Sequence, residues 1–198
     1  MGAMKLTDKF QRAVNFAAQK HLGQKRKDRE LPYIVHPFSV AWILSGYTND
    51  EDVIIAGLLH DILEDVKESS YQEIADEFGD NVAKIVKGVT EEKDPNIERN
   101  EKADWLGRKQ KYIDNLKIVG LDSVLVSAAD KIHNLQSMAS AYEDVGDSLW
   151  SHFNAPEDKK LWFYEEVIKV VRQRLADSSI VEELETSFEL VKRTTGVR

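Results

Sequence analysis

The stretch Asp52-Val53-Ile54-Ile55-Ala56-Gly57-Leu58-Leu59-His60-Asp61-Ile62-Leu63-Glu64-Asp65 decides the fold. At about 100° per residue on a helix, with His60 as zero, Glu64 falls at about 40°, Asp61 at about 100° and Asp65 at about 140°. All four lie on one side. Ile55, Ala56, Leu58, Leu59, Ile62 and Leu63 fill the remaining arc, so the helix is apolar nearly all round except for one polar wedge, the pattern of a buried helix. Burying three carboxylates and an imidazole together would cost on the order of several kcal/mol per ion, and like charges that close resist joint ionisation. Taken singly, His60 reads as a satisfied core histidine and Asp61 as a surface carboxylate. Taken together, the four favour a bound cation.

A second buried helix with one polar notch is read in Ser123 to Met138. Measured from Asp130, Asn134 sits at about 40° and Ser127 at about 60°, with Leu125, Ala128, Ala129, Ile132 and Leu135 on the far side. The plainer alternative is an Asn and an Asp that satisfy neighbouring backbone groups. His36, preceded by Tyr33-Ile34-Val35 and followed by Pro37, stands at a helix entrance and completes two His and two Asp. The chain has no cysteine, so thiolate ligation and disulfides are excluded. A mixed imidazole and carboxylate set suits Mn, Fe, Co, Ni or Zn better than Ca or Mg. His21, His152 and His133 lack such company, His133 being read as pointing away from the Asp130 notch, and all three are expected to be structural or surface residues.

Helical spacing of apolar residues recurs along the whole chain and no strand-like alternation is long enough to count, so the fold class is all-α. A first helix is expected over Leu6–His21, with Gly23 as its stop. A basic loop runs from Gln24 to Val35, and His36-Pro37 opens a helix ending near Gly46. A third is capped by Asn49 or Asp50 and runs through about Glu64. A fourth is capped by Ser69 or Ser70 and stops at Gly79, and a fifth spans Asp80–Val89. Thr90–Ile97 reads as a connection before a charged helix over about Glu98–Lys117. A long helix follows over Ser123 to about Tyr142, then one opened by Asn154 and Pro156, then an amphipathic segment from Ile180 to about Lys192 that is expected to fray. The 198 residues fit one domain, with a motif core at about 10–140 and C-terminal helices at about 150–192 packed on it.

With 42% hydrophobic and 31% charged residues the composition is that of a globular protein, and no run reaches the ~20 apolar residues of a membrane span. No secretory leader is evident, which makes the cytoplasm the expected compartment. A formal net charge of -8 argues against nucleic-acid binding. The local exception is Lys25, Arg26, Lys27 and Arg29, a basic cluster that could meet a small phosphorylated ligand or simply be solvated.

With His36, His60-Asp61 and Asp130 in that order, the chain resembles the HD superfamily of metal-dependent phosphohydrolases. The likeness is closer to the hydrolase domain of RelA/SpoT proteins and the small alarmone hydrolases. It is carried by His21-Leu-Gly-Gln-Lys-Arg26, Pro32-Tyr-Ile-Val-His36-Pro37, His60-Asp-Ile-Leu-Glu64-Asp65, Phe78-Gly79, Val89-Thr90 and Ala129-Asp130-Lys-Ile-His-Asn134-Leu, over about Phe10–Met138. The resemblance implies one divalent ion, by family analogy Mn, held by His36, His60, Asp61 and Asp130. It also implies removal of pyrophosphate from the ribose 3′ position of guanosine tetra- or pentaphosphate. By the same likeness Glu64 and Asp65 are the catalytic carboxylates, Arg26 meets the phosphates with Lys25 and Lys27 beside it, and Asn134 meets the nucleotide. Ser127 stands where relatives commonly carry Lys.

The expected partner is therefore a phosphorylated guanine nucleotide, processed by a hydrolase without a synthetase half. Alternatives are an HD phosphohydrolase acting on another nucleotide or NADPH, and a non-catalytic nucleotide sensor. The pairing of Glu64 with Asp65 speaks against the sensor. The aromatic region after Met138 could close the site or support a homodimer, with packing as its expected role.

Overall fold

The computed structural model describes residues 6–26, 30–91 and 104–196. Capping chemistry sets the early helix starts. The Thr7 hydroxyl accepts the Phe10 amide at 3.1 Å to open α1 (Asp8–Lys20), and Gly23, at φ +79°, lies just past its end. Pro37 sits in the first turn of α2 (Val35–Ser45), where amides have no intrahelical acceptor and a missing N–H costs nothing. Asp50 accepts the Asp52 amide at 2.9 Å to open α3 (Glu51–Leu59), in which every residue from Val53 to Leu59 is buried. A Cβ on Gly57 would stand 2.2 Å from Leu44 Cδ1, so the bare glycine is what lets α2 and α3 close on each other.

The helix expected to run through Glu64 is broken at His60-Asp61. α4 is a single turn, Ile62–Asp65, restarted by the Asp61 carbonyl, which accepts the amides of Glu64 at 3.1 Å and Asp65 at 2.8 Å. Apolar periodicity continues through Ile62 and Leu63, so nothing in the pattern marks this joint. Ser70 caps α5 (Tyr71–Phe78), and Gly79, at φ +96°, turns the chain into α6 (Asp80–Val89).

α7 spans Trp105–Leu116. The start expected for it near Glu98, and the connection beyond Glu91, lie outside the described residues. The 25-residue α8 (Leu121–Val145) is the central element, packing against α2, α3 and α6 on one side and the C-terminal helices on the other. A 3-10 turn (Gly146–His152) leads to α9 (Glu157–Arg174), which follows Pro156. The last helix, α10 (Ile180–Thr195), does not fray. Ile180, Leu184, Phe188 and Val191 form a buried stripe along α8, and that packing holds a segment whose charged face alone would not. Among the described residues there is no strand, only an isolated bridge between Lys25 and Pro32 that ties the basic loop, so the all-α expectation holds. No described helix is long and apolar enough to cross a membrane.

Glu91, just past α6, is buried and accepts hydrogen bonds from Arg108 and Lys109 of α7. Burial pushes its carboxyl up, but Lys109 and Arg108 outweigh that and hold it below the usual range. A carboxyl depressed on folding binds fewer protons in the native state, so its stabilisation is present above the unfolded value and lost as pH falls through the folded one. Urea midpoints measured from about pH 7 downwards should therefore fall less steeply below about pH 4.3, the ordinary Glu value, in Glu91→Gln than in wild type. Parallel acid arms in the two proteins would show that the pair adds no pH-dependent stability.

Candidate metal centre

Three elements supply the polar cluster. His36 comes from the first turn of α2, His60 and Asp61 from the joint between α3 and α4, and Asp130 from the middle of α8. His36 Nε2 lies 3.2 Å from Asp130 Oδ1 and 3.5 Å from Asp61 Oδ2, while His60 Nε2 lies 3.1 Å from Asp61 Oδ2 and 3.7 Å from Asp130 Oδ1. One donor atom each from His36, His60 and Asp130 falls within 4.8 Å of the other two, and all three residues are buried. The expected four residues are thus brought together.

His60 Nδ1 donates to the Gly57 carbonyl at 2.8 Å, which leaves Nε2 as the nitrogen facing the carboxylates. That Nε2 is buried and makes no hydrogen bond of good geometry, although the carboxylates of Asp61 and Asp130 lie 3.1 and 3.7 Å away. A buried polar atom left so costs free energy, and a ligand for its lone pair removes the cost. Burial disfavours the His60 imidazolium, yet Asp61 and Asp130 override it and raise its pKa well above the ordinary value. Burial likewise pushes both carboxyls up, and the opposing charges win: His60 and His36 hold Asp61 well down, Lys131 and the two imidazoles hold Asp130 well down. Two ionised carboxylates and two imidazoles around one point fit a divalent transition ion.

The surrounding groups fix these ligands. Asp130 accepts from Lys131 Nζ on Oδ2 and from Asn134 Nδ2 on Oδ1. The buried Lys131 ammonium also lies 4.8 Å from the Tyr112 ring centroid. Arg26 Nη2 donates to Asn134 Oδ1 at 3.2 Å, which links the basic loop to α8.

Besides Lys131, Tyr33 and His133 stand at the site without having been foreseen there. The Tyr33 hydroxyl donates to Asp61 Oδ2 at 2.6 Å and lies 3.2 Å from Asp65 Oδ2; burial and the two carboxylates push its pKa far up. His133, read from helical counting as turned away, instead places Nδ1 2.7 Å from His36 Nδ1. At about 300° from Asp130 it is only about 60° off on the other side.

Two adjoining cavities meet at this cluster. An inner one of 170 Å³ is lined by His36, His60, Asp61 and Asp130 with Glu64, Asp65, Arg26, Lys131 and Asn134. An outer one of 390 Å³ shares the last five, together with Tyr33, Lys109 and Phe163, and adds Arg108 and Lys160 with the aromatic rings of Trp105, Phe153 and Tyr164. The segment after Met138 therefore builds a wall of the site through Phe153 and α9, beyond the packing role expected for it. Ser127 lines the inner cavity, its hydroxyl 2.7 Å from that of Tyr112. Lys25 pairs with the exposed Glu30 and lines neither cavity; Lys27 lies outside the described residues. His21 is buried beside Tyr33, as a structural histidine would be.

Two imidazoles and two carboxylates converging in a helical bundle, beside a cavity rich in cations, define the class as a metal-dependent phosphohydrolase. The chain belongs to the HD domain family, whose model matches residues 13–155. It is 41% identical over 129 residues to the zebrafish guanosine-3′,5′-bis(diphosphate) 3′-pyrophosphohydrolase MESH1, an alignment covering 63% of this chain and 66% of that protein. The Drosophila melanogaster MESH1 is 36% identical, with 66% and 69% covered. The Escherichia coli K12 bifunctional (p)ppGpp synthase/hydrolase SpoT is 30% identical over 69% of this chain, but only 19% of that longer protein is spanned. A solved structure described as a metazoan ortholog of SpoT that hydrolyzes ppGpp superposes with a TM-score of 0.73 at 28% identity, covering 99% of this chain and 100% of that one. A Listeria monocytogenes crystal structure gives 0.64 at 29% identity, covering 81% of this chain and 99% of that one.

Proposed function

We propose that the protein is a guanosine 3′,5′-bis(diphosphate) 3′-pyrophosphohydrolase, with His36, His60, Asp61 and Asp130 holding one divalent ion, manganese by analogy. The observation that carries the reading is that these four residues share the inner cavity with Glu64, while five cationic side chains line the adjoining chamber. The relatives at 36–41% identity named for this reaction support it. A cation bound there would supply an acidified water and neutralise phosphate charge.

The remaining work falls to the chain's own side chains. Water adds to the phosphorus next to the ribose O3′, the O3′–P bond breaks, and a proton is returned to O3′, giving pyrophosphate and a 5′-phosphorylated guanosine. Glu64, which lines both cavities, takes the proton from the attacking water. Asp65, next to it and beside the Tyr33 hydroxyl, is placed to assist in returning the proton. Arg26, Arg108, Lys109, Lys131 and Lys160 oppose the substrate's negative charge, which the carboxylates alone would repel. The aromatic rings of α7, α9 and Phe153 line the same chamber and offer apolar faces to the substrate.

The test is release of pyrophosphate from guanosine tetraphosphate in Mn²⁺, set against phosphate release from a nucleotide panel that includes NADPH. Turnover of the panel members without the tetraphosphate would overturn the substrate assignment and leave the hydrolase class standing.

Arg26 gives a second test. Its guanidinium bonds Asn134 and lies 5.9 Å from the Tyr33 ring centroid, so it is held where it lines both cavities. Losing a charge-assisted contact of about 1.5–3 kcal/mol should lower kcat/KM of Arg26→Ala by roughly 10- to 150-fold. Arg26→Lys should recover part of this, more at low salt than at high, because a point charge steers but does not grip two oxygens. An Ala variant with wild-type kinetics would move phosphate recognition to α7 and α9.

A further inference from the structure

The two imidazoles of the centre face it with the same nitrogen, Nε2, and each therefore has Nδ1 on its far side. For Nε2 to keep a lone pair for a cation in a neutral ring, Nδ1 must carry the hydrogen and needs an acceptor. His60 finds one in the Gly57 carbonyl at 2.8 Å. His36 is different: among the described residues its Nδ1 meets Nδ1 of His133 on α8 at 2.7 Å, with ring centroids 4.8 Å apart and planes at 43°. Two ring nitrogens at that distance share one hydrogen. If His36 supplies it, His133 must accept at Nδ1 and carry its own hydrogen on Nε2.

We infer that His133 is a positioning residue for the metal centre, fixing the tautomer and ring orientation of His36 by accepting its Nδ1–H. The inference rests on the metal-binding reading above. It assigns a second duty to the turn of α8 that bears Asp130: Lys131 and Asn134 hold the Asp130 carboxylate, and His133, between them, holds a ligand contributed by α2. One helical turn thus aligns ligands from two elements. Acceptors behind ligating histidines are typically worth about 10- to 100-fold in metal affinity.

The experiment is an equilibrium titration of metal-stripped protein with Mn²⁺, free ion being read by electron paramagnetic resonance, on wild type, His133→Leu and His133→Asn. Leu keeps most of the side-chain volume and has no acceptor. Asn loses volume and keeps a carbonyl oxygen close to the position of Nδ1. His133→Leu should bind Mn²⁺ about 10- to 100-fold more weakly, and His133→Asn should recover to within a few-fold of wild type. Circular dichroism and urea midpoints accompany each titration, and His133→Ala replaces Leu if Leu unfolds. A Leu variant that binds like wild type overturns the inference. So does equal weakening in Leu and Asn, which would make His133 a packing residue. Failure of wild type itself to bind Mn²⁺ overturns the metal reading instead, and no substrate enters the measurement.

Discussion

His60→Ala should bring bound metal and hydrolysis to background together while the helical content survives. The His60 ring is buried, its Nε2 has no aligned partner among the described residues, and its removal deletes one of two nitrogen donors from a compact centre. The fold rests on other contacts: α3 is anchored by Val53 to Leu59, and beyond its approach to the site carboxylates the His60 ring hydrogen-bonds the Gly57 carbonyl of its own helix. Asp61→Ala should behave alike, with the added loss of the Tyr33 hydroxyl's acceptor. Asp130 is the poorer choice, since its removal would strand the buried Lys131 ammonium and confound stability with ligation. Metal content after dialysis, circular dichroism and pyrophosphate release on the same preparation decide the matter. Either variant retaining stoichiometric metal and full turnover would remove its residue from the centre.

Much of the fold was legible because short-range chemistry and helical period agree. Asp50 and Ser70 cap helices, Gly23 and Gly79 take positive φ, and the buried stripes of α3 and α8 follow the apolar pattern. What the pattern missed is tertiary in origin. The joint at His60-Asp61 leaves hydrophobic period untouched, so angles counted across it are only approximate, although Glu64 and Asp65 still come round to the same cavity. The hydroxyl of Tyr33 points at Asp61 because of where the basic loop crosses the joint, and neither period nor composition encodes that crossing. His133 was judged against the Asp130 direction alone, whereas its partner is a histidine on α2. Counting on one helix gives directions and says nothing of what waits there. The outer chamber was hidden for the same reason, being assembled from a few residues each of α7, α8, α9 and the segment before α9, with Arg26, Tyr33, Glu64 and Asp65.

Glu64→Gln should keep the metal and lose the chemistry. The side chain lines both cavities, and it shares a single helical turn with Asp65 immediately after the His60-Asp61 joint, so the same backbone that sets two ligands also sets its reach. The amide is nearly isosteric with the carboxylate but cannot accept a proton from water at neutral pH. Since a positioned base contributes typically 10²–10⁴-fold, kcat should fall by at least about 100-fold with KM for guanosine tetraphosphate changed little. Bound Mn²⁺ and urea midpoint should stay near wild type, because the four ligands are untouched. The pattern of loss is the diagnostic. A fall in metal content would make Glu64 a fifth ligand, and a rise in KM at unchanged kcat would make it a substrate contact. In either case Asp65, one helical turn on from Asp61 and bonded through its amide to the Asp61 carbonyl, would be the remaining carboxylate to carry the proton.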